Sequence, residues 1–280
     1  MCVLAVVMAV AQAQAQSGFQ LDWSRNRLTI LSPRLPGGRV EVWHLEAYCR
    51  RGSTRRRWEE TVVPHRTERL NGTGPAPRIR LRDTIEGGAV AEHDIRAVSD
   101  GIRFTLTIRN ASAQPLDIEW GQPCIQVAGF TGRTQETYLP RCFLFVEGRT
   151  GPELRLLSDL PRAEEAVYRG GQVYVPAGIS RGDVNPRPLS SVTPVLPLIG
   201  CFSGDGSQIL ATAWQPAQEL FQGVITCIHA DFRVGGLKPG ETKRLQGRIY
   251  LIENDPALLL RLYRRDFGGA GTAPVFPDAG

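Results

Sequence analysis

Residues 102–108 read Ile102-Arg103-Phe104-Thr105-Leu106-Thr107-Ile108, four apolar side chains alternating strictly with polar ones. Successive side chains on an extended strand point to opposite faces, so this stretch predicts a strand with one buried face. The same kind of run recurs in both directions along the chain, rich in Val, Ile, Thr and aromatics and bounded by Gly, Pro, Asn and Asp. Candidate strands are 27–32, 39–48, 78–83, 90–99, 102–110, 116–120, 142–147, 172–175, 199–202, 209–214, 224–232 and 242–252. A dozen strands without intervening helices predict an all-β sandwich or barrel. The one convincing helix is C-terminal: Asp255 is placed to cap it, Pro256 suits its first turn, and Leu258, Leu259, Leu262 and Tyr263 form its apolar stripe. Gly268-Gly269 ends it, and residues 270–280 are expected to be a frayed tail.

The composition is ordinary for a globular protein, 42% hydrophobic over 280 residues, which excludes disorder and leaves enough apolar material for one large core. Of the 33 basic residues only Lys238 and Lys243 are lysine, and they face 28 acidic residues. The densest basic run, from Arg50-Arg51 to Arg55-Arg56-Arg57, is followed at once by Glu59-Glu60, so no nucleic-acid partner is expected. Downstream of the first residues no apolar run is long enough to span a membrane.

Residues 2–10 form a short uncharged apolar run, and the Ala-Gln tract after it offers small-x-small cleavage sites after Ala13 or Ala15. Residues 1–15 are therefore expected to be a signal peptide, and 16–280 a single domain in a secreted or periplasmic protein. The remaining cysteines, Cys49, Cys124, Cys142, Cys201 and Cys227, are five in number and widely spaced. One or two bridges fit an oxidising compartment, but buried thiols explain most of them. No Cys-x-x-Cys occurs, and neither a metal nor another cofactor is expected. The proline-rich stretch 175–200 is long for a loop without its own structure, which points to an ordered loop shaping a site.

Two strands carry candidate chemistry. On 39–50, alternation places Val40 and Val42 on a face with His44, Glu46, Tyr48 and Arg50, as if the strand left the core for a polar cleft. On 224–233, Cys227, His229, Asp231 and Arg233 alternate with Thr226, Ile228, Ala230 and Phe232. A His beside an Asp on one face can be held in one tautomer for acid–base work. Two such ligands are too few to argue for a metal. His65 reads as a surface loop residue and His93 as solvated. Trp58, Trp120 and Trp214 can stack on sugar rings, with Trp214 best placed, and Glu219 and Gln222 follow it. Walker, nucleophile-elbow and zinc-protease motifs are absent.

Residues 90–127 resemble the galactose mutarotase-like (aldose 1-epimerase) superfamily. The motifs are the strand Ala91-Glu92-His93-Asp94-Ile95, the Asp100-Gly101 turn, the strand from Phe104 to Asn110, the turn Ala113-Gln114-Pro115-Leu116, and Ile118-Glu119-Trp120-Gly121-Gln122-Pro123. The turn Gly236-Leu237-Lys238-Pro239-Gly240-Glu241 is similar to one before a late strand of that fold. The resemblance implies an antiparallel β-supersandwich with a short C-terminal helix and a saccharide ligand. Where the family's strand ends in His-Pro, this chain has Gln122-Pro123-Cys124, and glutamine can hydrogen-bond a sugar but cannot deliver a proton as imidazolium does. The expected function is an exported carbohydrate-active protein. In its catalytic form, as an epimerase, lyase or hydrolase, His229 is the acid and Glu46 the base. His44, Tyr48, Arg50, Gln122, Trp214, Asp231 and Arg233 then bind substrate. The alternative is a non-catalytic carbohydrate-binding or surface-interaction module. The acid–base form requires His44 and His229 to share a face.

Overall fold

In a computed structural model, which describes residues 18–169 and 171–268, the alternating stretch lies in a strand paired on both sides. Seventeen strands, numbered in chain order, form two antiparallel sheets among the described residues. The first sheet runs β1 (Gln20–Ser24), β2 (Arg27–Leu31), β3 (Arg39–Cys49), β9 (Trp120–Gln126), β16 (Cys227–Arg233), β15 (Ala217–Gln222) and β12 (Gln172–Tyr174), with β4 (Val62–Val63) also on β3. The second runs β11 (Gly151–Leu156), β10 (Cys142–Gly148), β13 (Leu198–Phe202), β14 (Gln208–Gln215), β17 (Thr242–Glu253), β8 (Gly101–Asn110), β7 (Ala89–Val98), β6 (Arg78–Ile85) and β5 (His65–Arg69). The all-β supersandwich is therefore the fold. Strand β9 starts where the sequence placed a strand's end, because residues 116–119 pair irregularly, with one isolated bridge between Leu116 and Leu237 and backbone bonds of Ile118 and Glu119 with Cys49 and residues 234–236.

The inner faces build the main core. Val40, Val42, Ile228, Ala230 and Phe232 from the first sheet meet Leu81, Ile95, Phe104, Leu106 and Ile108 from the second. Between them, Trp214 stacks on Phe232 at 4.8 Å and on Phe104 at 5.4 Å. Short helices α1 (Trp58–Thr61), α2 (Ala128–Thr131) and α3 (Glu164–Arg169) lie in connections. The terminal helix α4 (Pro256–Phe267) is capped as expected, Asp255 Oδ1 accepting from the Leu258 N–H at 2.9 Å. Its Leu259 and Phe267 cover the outer face of the second sheet, on Phe143, Phe145 and Tyr250. No helix among the described residues is long and apolar enough to cross a membrane. The expected signal peptide and tail lie outside the described residues.

The outer face of the first sheet is covered from two sides. Ala47, Cys49 and Trp120 pack under Trp58 and Val62 of the arginine-rich loop. Val173, Val175 and Phe221 pack under Val184, Ile179 and Leu189 of the proline-rich loop. These loops are joined to each other: the Gly52 N–H donates to Asp183 Oδ1 at 2.7 Å, and the Thr54 hydroxyl to the Val184 carbonyl at 3.0 Å. The gap left between them is the site.

Candidate functional site

Ile228, Ala230 and Phe232 belong to the core between the sheets, so the alternate residues Cys227, His229 and Asp231 point to the outer face. Cys227 and His229 form part of the lining of a pocket of about 440 Å³ that also takes in Trp43, Glu46, Gln122 and Cys124 from β3 and β9. The covering loops add Arg56, Arg57 and Trp58 on one side and Asn185, Pro186 and Arg187 on the other. The proline-rich stretch is thus an ordered wall, as expected.

A hydrogen-bonded chain forms much of the floor. Gln122 Nε2 donates to Glu46 Oε2 at 3.0 Å, Asn185 Nδ2 donates to Gln122 Oε1 at 3.0 Å, and the Asn185 N–H donates to Glu219 Oε2 at 2.9 Å. Glu219 stands directly opposite Asp231 across the β15–β16 pair, and both are fully buried. Burial raises the pKa of each, and the repulsion of Glu219 raises that of Asp231 further, so Asp231 favours its neutral form. A neutral Asp231 does not charge its neighbour. Burial works against a charged His229, yet its pKa is raised, by Cys227 and then by Glu46. This corrects the expectation that Asp231 keeps His229 protonated.

Cys227 Sγ lies 3.2 Å from His229 Nε2. Cys124, diagonal to it on β9, hydrogen-bonds the same sulfur. That bond and the imidazole lower the first ionisation of the thiol pair at Cys227, while the proton left on Cys124 is held well above the usual thiol range. All five cysteines among the described residues are buried free thiols, but these two are polar members of a pocket and not mere core filler.

The predicted face on β3 does not form. Val40, Val42, His44 and Tyr48 do share a side by alternation, but it is the interior of the sandwich along the whole strand. There His44 and Tyr48 meet two residues of the second sheet. Tyr48 OH donates to Asp83 Oδ2 at 2.6 Å, His93 Nε2 lies 2.8 Å from the same oxygen, and His44 Nε2 lies 3.0 Å from His93 Nδ1. These contacts fit a relay in which His44 donates to His93 and His93 to the ionised Asp83. His93, expected to be solvated, is buried because it follows Ala89 and Ala91 on the inward face of β7.

Glu46 alone is turned outward. Pairing of β3 with β9 jumps between Trp43 and Ala47, so that residues 44–46 bulge opposite Pro123. Proline has no N–H for the ladder, and a bulge is where a sheet tolerates it. Arg50, at the strand's end, faces Glu86 at 3.7 Å instead of the pocket. Trp214 is core, and Trp120 is buried with its indole N–H on Ser53 Oγ at 3.0 Å. Arg233 also lies outside the pocket, bound to Glu119 and Gln218 and 3.5 Å from Asp183. Of the predicted residues, then, Glu46, Gln122 and His229 come together in the pocket with Asp231 beneath. His44 and His229 are on opposite faces of one sheet, which removes the acid–base proposal in the form the sequence suggested.

No protein-family model matches the sequence, and no curated protein matches it. Solved structures do match. An alpha-N-acetylgalactosaminidase from Bifidobacterium bifidum, in complex with GalNAc, has a TM-score of 0.52 and 13% identity over 91% of this chain and 38% of its own. This chain thus spans little more than a third of that enzyme. A galactose mutarotase-like protein from Lactobacillus casei matches with a TM-score of 0.38 and 10% identity, over 84% of this chain and 100% of its own. Another from Clostridium acetobutylicum has a TM-score of 0.40 and 9% identity, over 83% and 94%. At such identities the likeness is one of fold. It is the partial resemblance that residues 90–127 carry.

Proposed function

We propose that the protein binds a saccharide in the pocket on the outer face of its first sheet, and that residues 1–15 direct its export. The single observation that supports the binding reading is the pocket's construction. A preformed Glu46–Gln122–Asn185 chain presents fixed donors and acceptors, the kind of groups that orient hydroxyls. Trp43 and Trp58 offer aromatic planes for the C–H face of a sugar ring. At about 440 Å³ the pocket is within the usual range for small-ligand sites. Arg56, Arg57 and Arg187 suit a ligand bearing a carboxylate or sulfate as well as hydroxyls.

The test is calorimetric titration with a panel of neutral sugars, N-acetylated hexosamines and uronates, with ring-form exchange and new chain ends followed by NMR in the same samples. One member of the panel should bind at a single site. Gln122→Ala and Trp58→Ala should each weaken it at least tenfold, about 1.4 kcal/mol. If no sugar binds at millimolar concentration, or if both variants bind as the parent does, the reading is wrong. Binding without any turnover would establish the non-catalytic module.

A further inference from the structure

Strand β16 puts Cys227 and His229 on its outer face, and the neighbouring strand supplies another thiol ligand. His229 on β16 stands opposite Cys124 on β9, with Cys227 two residues away on the same outer face. The ligand atoms of Cys124, Cys227 and His229 all lie within 4.8 Å of one another, and all three side chains are buried. We propose that these residues form a three-ligand site for a thiophilic divalent cation of the zinc type, its fourth position opening into the pocket.

The geometry is close to that of a metal site before the ion draws its ligands in. With metal–sulfur bonds of about 2.3 Å and metal–nitrogen bonds of about 2.0–2.1 Å, the ligand atoms of a tetrahedral site stand roughly 3.5–4 Å apart. Here Cys227 Sγ and His229 Nε2 are 3.2 Å apart and all three ligand atoms lie within 4.8 Å, so side-chain shifts of about 1 Å suffice. Two sulfurs and one imidazole select a borderline-soft cation over calcium or magnesium, which require oxygen ligands. Charge also balances: two thiolates neutralise a dication, and a neutral site is what a buried position tolerates.

Two observations outside the ligand set point the same way. His229 Nδ1 is buried without a hydrogen-bond partner, and Asp231 Oδ1 is 3.8 Å from it. With Nε2 on a metal, Nδ1 must carry the proton, and a small ring shift brings it to Asp231, the outer-shell carboxylate that metal-bound histidines commonly use. Gly223 closes the other side. A Cβ there would stand 2.2 Å from Cys227 Sγ and 3.2 Å from His229 Nε2, so any other residue would fill the space beside the ligands.

The proposal is independent of what the pocket binds. Its test uses the full chain, reduced and stripped with a chelator, titrated with zinc against a chromophoric competitor and separately with cobalt(II). One equivalent of zinc should bind, and cobalt should give a thiolate charge-transfer band with the intense visible absorption of tetrahedral coordination. Cys124→Ser and Cys227→Ser should each weaken zinc by more than the roughly 10–100-fold that loss of an outer-shell partner causes. Gly223→Ala, which keeps all three ligands, should weaken it too. Cys142→Ala, on the other sheet, should leave it unchanged. A parent protein that takes up no stoichiometric zinc and shows no cobalt–thiolate band overturns the site without recourse to variants. So does zinc affinity that survives, in protein with a native circular dichroism spectrum, when either Cys124 or Cys227 is replaced.

Discussion

The buried relay between the sheets makes a quantitative prediction about acid. Burial, then the neighbouring His93, lowers the His44 pKa from 6.5 to about 3, with Asp83 only partly opposing them. The folded protein therefore leaves His44 neutral down to about pH 3, while the unfolded chain protonates it below about 6.5. Across that window the unfolded state binds the extra proton, so stability falls as pH falls. At pH 5 the unfolded imidazole is about 1.5 units below its pKa, and at about 1.36 kcal/mol per unit the loss relative to pH 7.5 is about 2 kcal/mol. Asp83, held below the ordinary carboxylate range by His93 and by its hydrogen bonds despite burial, titrates lower still and does not contribute at pH 5. His44→Gln keeps a donor toward His93 but cannot titrate. Urea unfolding of both proteins at pH 7.5 and pH 5 isolates the effect, because the Glu219–Asp231 pair and every other titrating group act in both and cancel. The parent should lose about 2 kcal/mol more than the variant, roughly 0.7–1 M in urea midpoint. Equal losses would show that His44 takes up its proton in the folded state, and the relay as drawn would be wrong.

Three further outcomes follow from single contacts. Gly101→Ala should destabilise by at least about 2 kcal/mol in chemical denaturation, since Gly101 has φ +130° and a Cβ there would sit 2.0 Å from the Ile249 carbonyl oxygen. Arg233→Met should cost about 3 kcal/mol by leaving the fully buried Glu119 without its main counter-charge, and less at pH 4, where Glu119 takes up a proton. Asp255→Ala should cost about 1 kcal/mol through loss of the cap on α4, read as a small drop in thermal midpoint with an unchanged spectrum.

Strands whose two faces differ in polarity were readable from the residues, and so was the capped helix. Five strands were missed, β1, β4, β5, β11 and β15, and in two of them the composition hides the pattern. In β5, His65-Arg66-Thr67-Glu68-Arg69, no apolar face exists, since it is an edge strand paired only with β6. In β15, Gln218, Glu219 and Gln222 are polar yet buried: Gln218 and Glu219 bond the proline-rich loop, and Gln222 donates to the Tyr138 hydroxyl and the Gly223 carbonyl. A local pattern reports hydrophobicity; it does not report which polar groups will find partners once the loops close.

Neither of the site's decisive features lies within a single strand's alternation. Period two correctly grouped His44 with Tyr48, but a polar residue on an apolar face was read as the start of a cleft when its partners were waiting on the opposite sheet. Glu46 left that group only because β3 bulges where β9 has Pro123. Cys124 joined Cys227 and His229 only through the β9–β16 register, which a sequence without the pairing cannot supply. The proline that displaces Glu46 toward the pocket thus sits in Gln122-Pro123-Cys124, the stretch that also contributes the hydrogen-bonding glutamine and the third thiol ligand. The Gln122-Pro123-Cys124 stretch places a carboxylate, an amide and a sulfur on one face of the sheet, beside Cys227 and His229.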